Sequence, residues 1–169
     1  MADLFTRFGG HRHAAGVVLS ADRVEEFRRR LNECAAARLT RDDLVPEFEV
    51  DSLLDLREIS EEAIQEILAL APFGCGNPAP LFAALDVEVA GEPVVWKEKH
   101  ARVILRRNGR KLTMKGWGLA SRLDELRSGS RVDAILAFEE DPYSLSRGYS
   151  GWSAVLKDVR QSGIGSLSH

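Results

Sequence analysis

"ARVILRRNGRKLTMKGW", residues 101–117, sets two alternating apolar runs on either side of Asn108-Gly109. Asn-Gly supplies the two positive-φ residues that a tight hairpin turn requires, so the stretch predicts a β-hairpin. A two-residue turn leaves one register. Arg107 faces Arg110, Arg106 faces Lys111, Leu105 faces Leu112, Ile104 faces Thr113, Val103 faces Met114 and Arg102 faces Lys115. Side chains alternate across a strand, so Val103, Leu105, Leu112 and Met114 share one face, which is expected to line a core. The other face carries Arg102, Arg106, Lys111 and Lys115, and one further step sets His100 opposite Trp117.

Like charges directly opposite each other across strands are destabilising on their own. An anion lying over the sheet would relieve that repulsion. Bases and an indole on one exposed face suit a strand of nucleic acid, with phosphates on the cations and a base stacked on Trp117. The plainer alternative is a solvated basic surface.

Further strands are expected around the hairpin, at Leu81 to Val89, Val132 to Phe138 and Trp152 to Val159, with a helical segment "LASRLDELRSG", residues 119–129, after the third strand. Five strands with a helix after the third is the order of an OB-fold barrel, an architecture that often serves single-stranded nucleic acid. Fold alone does not establish that use.

The N-terminal half reads differently. Val17 to Leu19 suits a short buried strand, and Ser20 stands where a helix N-cap belongs, with Asp22 in the first turn. Val24, Phe27, Leu31, Cys34 and Ala35 fall at helical spacing between Ala21 and about Leu39, and Arg28, Arg29 and Arg30 would form the wet face. "PEFEVDSL", residues 46–53, alternates like a strand, and Ser60 can cap a helix carrying Ile64, Ile67, Leu68 and Leu70. "APFGCGNPAP", residues 71–80, holds three prolines and two glycines and cannot continue any regular element. It predicts a rigid, shaped connector.

Composition sets the outer bounds. The chain has 169 residues, 44% hydrophobic and 29% charged, the balance of a globular protein. No apolar run approaches the roughly 18 residues of a membrane span, and no basic-then-apolar leader opens the chain. Cys34 and Cys75 have no CxxC spacing, so neither a disulfide framework nor a zinc site is indicated, and a reducing cytoplasm is the expected compartment. The net charge of −3 conceals a split: residues 42–66 hold ten acids against Arg57 alone, and residues 94–115 hold eight bases against Glu98 alone. A local excess of that size bears on partners even when the total is near neutral.

Two stretches resemble a known family. "FGGHRHAAG", residues 8–16, fits the GGHxxAAG signature of the DHH-associated domain of DHH-family phosphoesterases, through Gly9, Gly10, His11, Ala14, Ala15 and Gly16. "APFGCGNPAPLF", residues 71–82, is similar to the PFGxGNxxPxF element of RecJ-type single-strand exonucleases, whose chains also close on an OB domain. The resemblance implies an α+β chain: the end of an α/β DHH-associated domain over residues 1–42, a strand-helix-Pro/Gly connector over 43–80, a five-stranded OB barrel over 81–161 and a flexible tail over 162–169. It implies that Gly9 and Gly10 open the backbone to an anion, ahead of a short helix start, and that His11 donates to a phosphate oxygen. His13 falls at a variable position and carries no role. A metal pair from His11 and His13 is conceivable, with no acid or thiol placed to complete it.

RecJ-like enzymes hold two manganese or magnesium ions with aspartates and histidines of a catalytic domain that includes a DHH triplet. This sequence contains no such triplet, so the chain is expected to bind no metal, to carry no catalytic residue and to be inert alone. The reading is the single-stranded DNA-binding part of a 5′-to-3′ exonuclease of repair and recombination, with Gly9, Gly10, His11, His100, Arg102, Arg106, Lys111, Lys115 and Trp117 as contacts. Its alternative is a non-catalytic OB adaptor for an acidic protein tail, such as that of single-strand binding protein.

Overall fold

The structure, a computed structural model, describes residues 1–163 and divides at Phe48 and Glu49 into two units. The expected tail begins at 162, and its residues 164–169 lie outside the described residues.

In the first unit, β1 (Arg7–His11) and β2 (Ala14–Val18) form an antiparallel hairpin with Gly9 opposite Gly16 and His11 opposite Ala14. The expected buried strand at Val17 to Leu19 overlaps the end of β2, whose five residues are all exposed, and Leu19 lies half-buried just beyond it. Ser20 makes no side-chain cap, because a 3-10 turn at Ala21–Arg23 comes before α1 (Val24–Ala36). That helix stops three residues short of Leu39. Arg28 and Arg29 are exposed and pair with Glu25 and Glu33 about one turn away, a wet face as expected, whereas Arg30 is half-buried and reaches Glu26 and Asp3. Phe27 packs edge-on against Phe5 at 5.5 Å.

The second unit is built on a closed barrel. β4 (Phe82–Val89), β6 (His100–Arg107), β7 (Arg110–Gly116), β8 (Arg131–Glu140) and β9 (Trp152–Gln161) pair in the order β4-β8-β9-β7-β6, and β6 closes on β4. β7 runs parallel to β9 while the other barrel pairs are antiparallel, which is OB topology. The β6–β7 register is the predicted one, from Arg107 opposite Arg110 to Arg102 opposite Lys115. Asn108 and Gly109 hold φ of 50° and 79°, the left-handed pair of a tight hairpin.

Val103, Leu105 and Met114 are fully buried, with Val87, Leu136 and Leu156 of the facing strands in the same core. Leu56 and two residues of α2 (Glu61–Leu68), Ile64 and Leu68, belong to that core as well. Ser60 caps α2 through the Ala63 N–H at 3.2 Å, as expected, but Leu70 lies beyond the helix end and is exposed. Residues 51–68 thus pack with the barrel. Within the Pro/Gly segment, Gly74 and Asn77 exchange backbone hydrogen bonds, and the Asn77 amide donates to the carbonyls of Leu70 and Pro72 at 3.1 and 2.9 Å.

Three expectations need correction. Of the strand expected over 46–53, only β3 (Ser52–Leu53) forms, in parallel with Phe82 and Ala83; the residues before it find no partner strand. The helix after the third barrel strand is a 3-10 segment, Leu119–Leu126, interrupted at Arg122, whose guanidinium is drawn to Glu125, Asp158 and the Val159 carbonyl. An extra strand, β5 (Val94–Trp96), adds to β6 at the barrel's edge.

At the end of β8, Asp141 is the one buried charged residue among those described. Its carboxylate takes Lys115 Nζ at 2.6 Å and the Ser144 hydroxyl at 2.6 Å, and these partners hold its pKa down at about 2. A folded-state pKa below the unfolded one contributes stability above about pH 4 that is lost as pH falls toward 2. The stability difference between wild type and Asp141→Asn, measured by urea unfolding, should therefore shrink by on the order of 2 kcal/mol between neutral pH and pH 2. A difference that stays constant with pH would mean that the carboxylate is not held by Lys115.

Candidate nucleic-acid interface

The exposed face of β6 and β7 follows from the register. Arg102, Arg106, Lys111 and Thr113 point to solvent, Lys115 is half-buried, and Trp117 just past β7 is 52% exposed. The structure therefore brings together the six residues expected on this face: His100, Arg102, Arg106, Lys111, Lys115 and Trp117.

Their electrostatics differ from the expectation of paired repulsion. Arg106 meets Glu88, its cross-strand neighbour on β4, at 2.5 Å, and Lys115 meets Asp141 at 2.6 Å. The protein's own carboxylates relieve half of the like-charge opposition, one in each pair. Arg102 and Lys111 form no ion pair among the described residues, nor do Lys97 and Lys99 in the turn between β5 and β6. Of the cations on this face and its adjoining turn, these four are free for an external anion. Arg107 and Arg110 donate to the carbonyls of Leu85 and Ile59 and so brace the barrel.

The aromatic end of the face is larger than the sequence suggested. Trp96 pairs with His100 across β5–β6, and three rings meet: His100 and Trp117 at 4.9 Å, Trp96 and His100 at 5.4 Å, Trp96 and Trp117 at 5.7 Å. The contacts onto Trp117 are edge-to-face, the favoured geometry for aromatic rings. His100 Nδ1 accepts the Gly118 N–H at 3.1 Å, which fixes the imidazole in its plane. Trp96 was missed because its strand is three residues long; the signal that could have found it is an indole four residues before a histidine, across a short loop.

Gly9, Gly10 and His11 lie in the first unit. They stand in a β-hairpin, not before a helix start, so the expected helix end is not what would meet an anion there. Gly10 is required by the hairpin itself: a Cβ there would stand 2.5 Å from the Ala14 carbonyl oxygen and 2.7 Å from Ala15 Cα. A Cβ at Gly9 would meet nothing within 4 Å, so its backbone is open to a ligand. His11 is exposed, and its Nδ1 accepts the His13 N–H at 3.3 Å, which leaves the proton of the neutral ring on Nε2 as a donor.

This donor set does not fit a divalent metal. Magnesium and manganese favour carboxylate and carbonyl oxygens, yet the His11 and His13 rings stand 6.1 Å apart with one imidazole nitrogen already engaged. Among the described residues, no three His, Cys, Asp or Glu side chains gather as a metal-binding group, and no helix is long and apolar enough to cross a membrane.

Comparison with known proteins agrees with this topology. The chain is 32% identical over 134 residues to the single-stranded-DNA-specific exonuclease RecJ of Bacillus subtilis, covering 79% of this chain and 17% of that protein. It is 38% identical over 80 residues to the RecJ of Thermus thermophilus, covering 47% of this chain and 12% of that one. The chain thus spans less than a fifth of these relatives. A crystal structure of RecJ with Mg2+ from Thermus thermophilus superimposes with a TM-score of 0.59 at 22% identity, over 99% of this chain and 25% of that one, a likeness of fold. The family model of the RecJ OB domain matches residues 50–148, which contain α2, the connector and most of the barrel. By that match, over more than half of its length, the chain belongs to the RecJ OB domain family.

Proposed function

We propose that this chain is the single-strand-binding part of a RecJ-type 5′-to-3′ exonuclease, a cytoplasmic enzyme of DNA repair and recombination. The observation that carries the reading is the β6–β7 face, where Arg102 and Lys111 form no ion pair among the described residues, with an indole cluster and the lysines of the β5–β6 turn at one end. Unpaired cations suit phosphates, and an open indole suits an unstacked base. The RecJ names of the curated relatives support the substrate class.

His11 Nε2 and the open backbone at Gly9 are proposed to meet a phosphate oxygen of single-stranded DNA. Phosphodiester hydrolysis, with its manganese or magnesium, is assigned to residues outside this sequence. Incubation of the purified chain with 5′-phosphorylated single-stranded DNA and manganese should release no nucleotide. Release that survives purification and stops on chelation would overturn this assignment.

Binding of a short oligonucleotide across a salt series tests the face directly. Arg102→Ala and Lys111→Ala should each lower the salt slope by about 0.7, the value for one single-strand phosphate contact. Trp117→Ala should cost about 1–3 kcal/mol with the slope nearly unchanged, since stacking releases no counterions. Val103→Ala, directed into the core, should lower stability before it touches affinity. An acidic protein tail, the alternative ligand, would share the salt dependence and be indifferent to Trp117. If none of the three surface variants weakens oligonucleotide binding while remaining folded, the face is not the interface.

A further inference from the structure

Trp96 and Trp117 belong to the face described above, and Trp152, the third indole of the chain, does not. It opens β9 and packs edge-on against Phe138 at 5.7 Å, and its Nε1–H donates to Glu61 Oε2 at 2.7 Å. The other carboxylate oxygen, Oε1, accepts from the Gln65 amide at 3.0 Å. Glu61 is thus held on the first turn of α2 by two neutral partners, which fix the carboxylate without cancelling its charge.

A groove opens beside it. α3 (Pro142–Leu145) follows β8, and the loop then turns back, with the Gly148 N–H donating to the Leu145 carbonyl at 3.0 Å and the Asp141 N–H to the Gly151 carbonyl at 2.7 Å. Between this loop and α2 lies a cavity of about 350 Å³, lined by Glu61, Gln65, Leu68, Glu140, Pro142 and Leu145. Leu68 is buried, Glu140 is open to water, and Leu145 is 61% exposed. Leu145 leans over Gly151, where an added Cβ would stand 3.5 Å from its Cδ1, so the apolar wall rests on backbone.

Among the described residues no lysine, arginine or histidine pairs with Glu61 or Glu140. Arg147, the cation of the loop, lies over the Tyr143 ring at 4.6 Å instead. Two like charges on one cavity repel each other and would repel a phosphate, and a wholly apolar segment would bury them unpaired. A basic side chain answers both demands, because its charged head meets the carboxylates while its methylene stem lies along Leu68, Pro142 and Leu145. We propose that the groove between α2 and the β8–β9 loop docks a segment of a partner protein that sets a lysine or arginine beside an apolar residue. The groove is opposite in charge to the β6–β7 face, so such a partner and a nucleic-acid strand would sort to different surfaces.

The three indoles divide between the two surfaces and give the test its readout. In the full chain labelled with nitrogen-15, a short peptide carrying lysine-leucine-lysine between glycines should move the indole N–H resonance of Trp152 and leave those of Trp96 and Trp117 in place. A glutamate-leucine-glutamate peptide should move none of them. Glu140→Gln should weaken the basic peptide roughly two- to tenfold and flatten its salt dependence, and Leu145→Ala should weaken it by a similar factor at unchanged salt dependence. Glu98→Gln, the same change of charge outside the groove, should bind as wild type. If the Trp152 resonance ignores the peptide, the proposal falls. It falls equally if lysine-glycine-lysine binds as well and Leu145→Ala changes nothing, because the attraction is then charge alone. A Trp152 resonance that moves with the concentration of the chain by itself would assign the groove to a second copy, and one that moves with an oligothymidylate would assign it to nucleic acid; either overturns the proposal. An oligothymidylate that moves only Trp96 and Trp117 upholds the hairpin reading whatever the peptide does.

Discussion

Asn108 and Gly109 hold positive φ, and that pair of angles fixes which side chains of β6 and β7 enter the barrel. A slip of one residue would turn Arg102, Arg106, Lys111 and Lys115 into the core and Val103, Leu105, Leu112 and Met114 out to water. The cost would be several buried, unpaired charges, so one register prevails. Everything downstream inherits it. Met114 lies opposite Ala154 because β9 adds in parallel to β7, and Gly116 sits so close to Leu119 that a Cβ would stand 2.7 Å from its Cδ1. The barrel closes against the 3-10 segment at that point.

The same register stacks cation on cation across two strands, and the protein answers with carboxylates from β4 and from the end of β8. Glu88 and Asp141 differ in depth, however. Glu88 and Arg106 are surface groups, and pairs of that kind contribute little and exchange readily with solvent. Asp141 is only 6% exposed and also caps α3, so Lys115 is a structural lysine first and a ligand group second. Arg102 and Lys111, diagonal to those pairs, keep their charge for outside partners. A chain of net charge −3 can thus present a basic face, because its acids lie elsewhere or are already spent in pairs.

The hairpin and the OB order were legible in the sequence because period-two alternation and Asn-Gly are local signals. What escaped was non-local or unmarked. Lys97 and Glu98 adopt φ of 49° and 59° with no glycine or asparagine to announce a turn, so β5 and Trp96 stayed hidden. The β1–β2 hairpin turns through Arg12 and His13, again without turn residues, and its glycines read as a ligand loop when Gly10 serves close strand approach. The partners of Arg106 and Lys115 lie 18 and 26 residues away, beyond the reach of any sequence window. Alternation placed the cations on the face. Only the packed barrel shows which of them are free.

In the proposed reading, the aromatic cluster is what favours a single strand over a duplex. His100 and Trp96 meet Trp117 at interplanar angles of 80° and 69°, so their edges support the indole without covering it as a stacked ring would. The Gly118 N–H holds His100 in turn, and the indole is braced before a ligand arrives. A braced ring loses little rotamer freedom on binding, so more of the stacking energy appears as affinity. The base faces of a duplex are already stacked on one another, and reaching Trp117 would require unstacking them at a few kcal/mol per step. Cations alone would accept either form of nucleic acid. The exposed indole gives an advantage to the form whose bases are free.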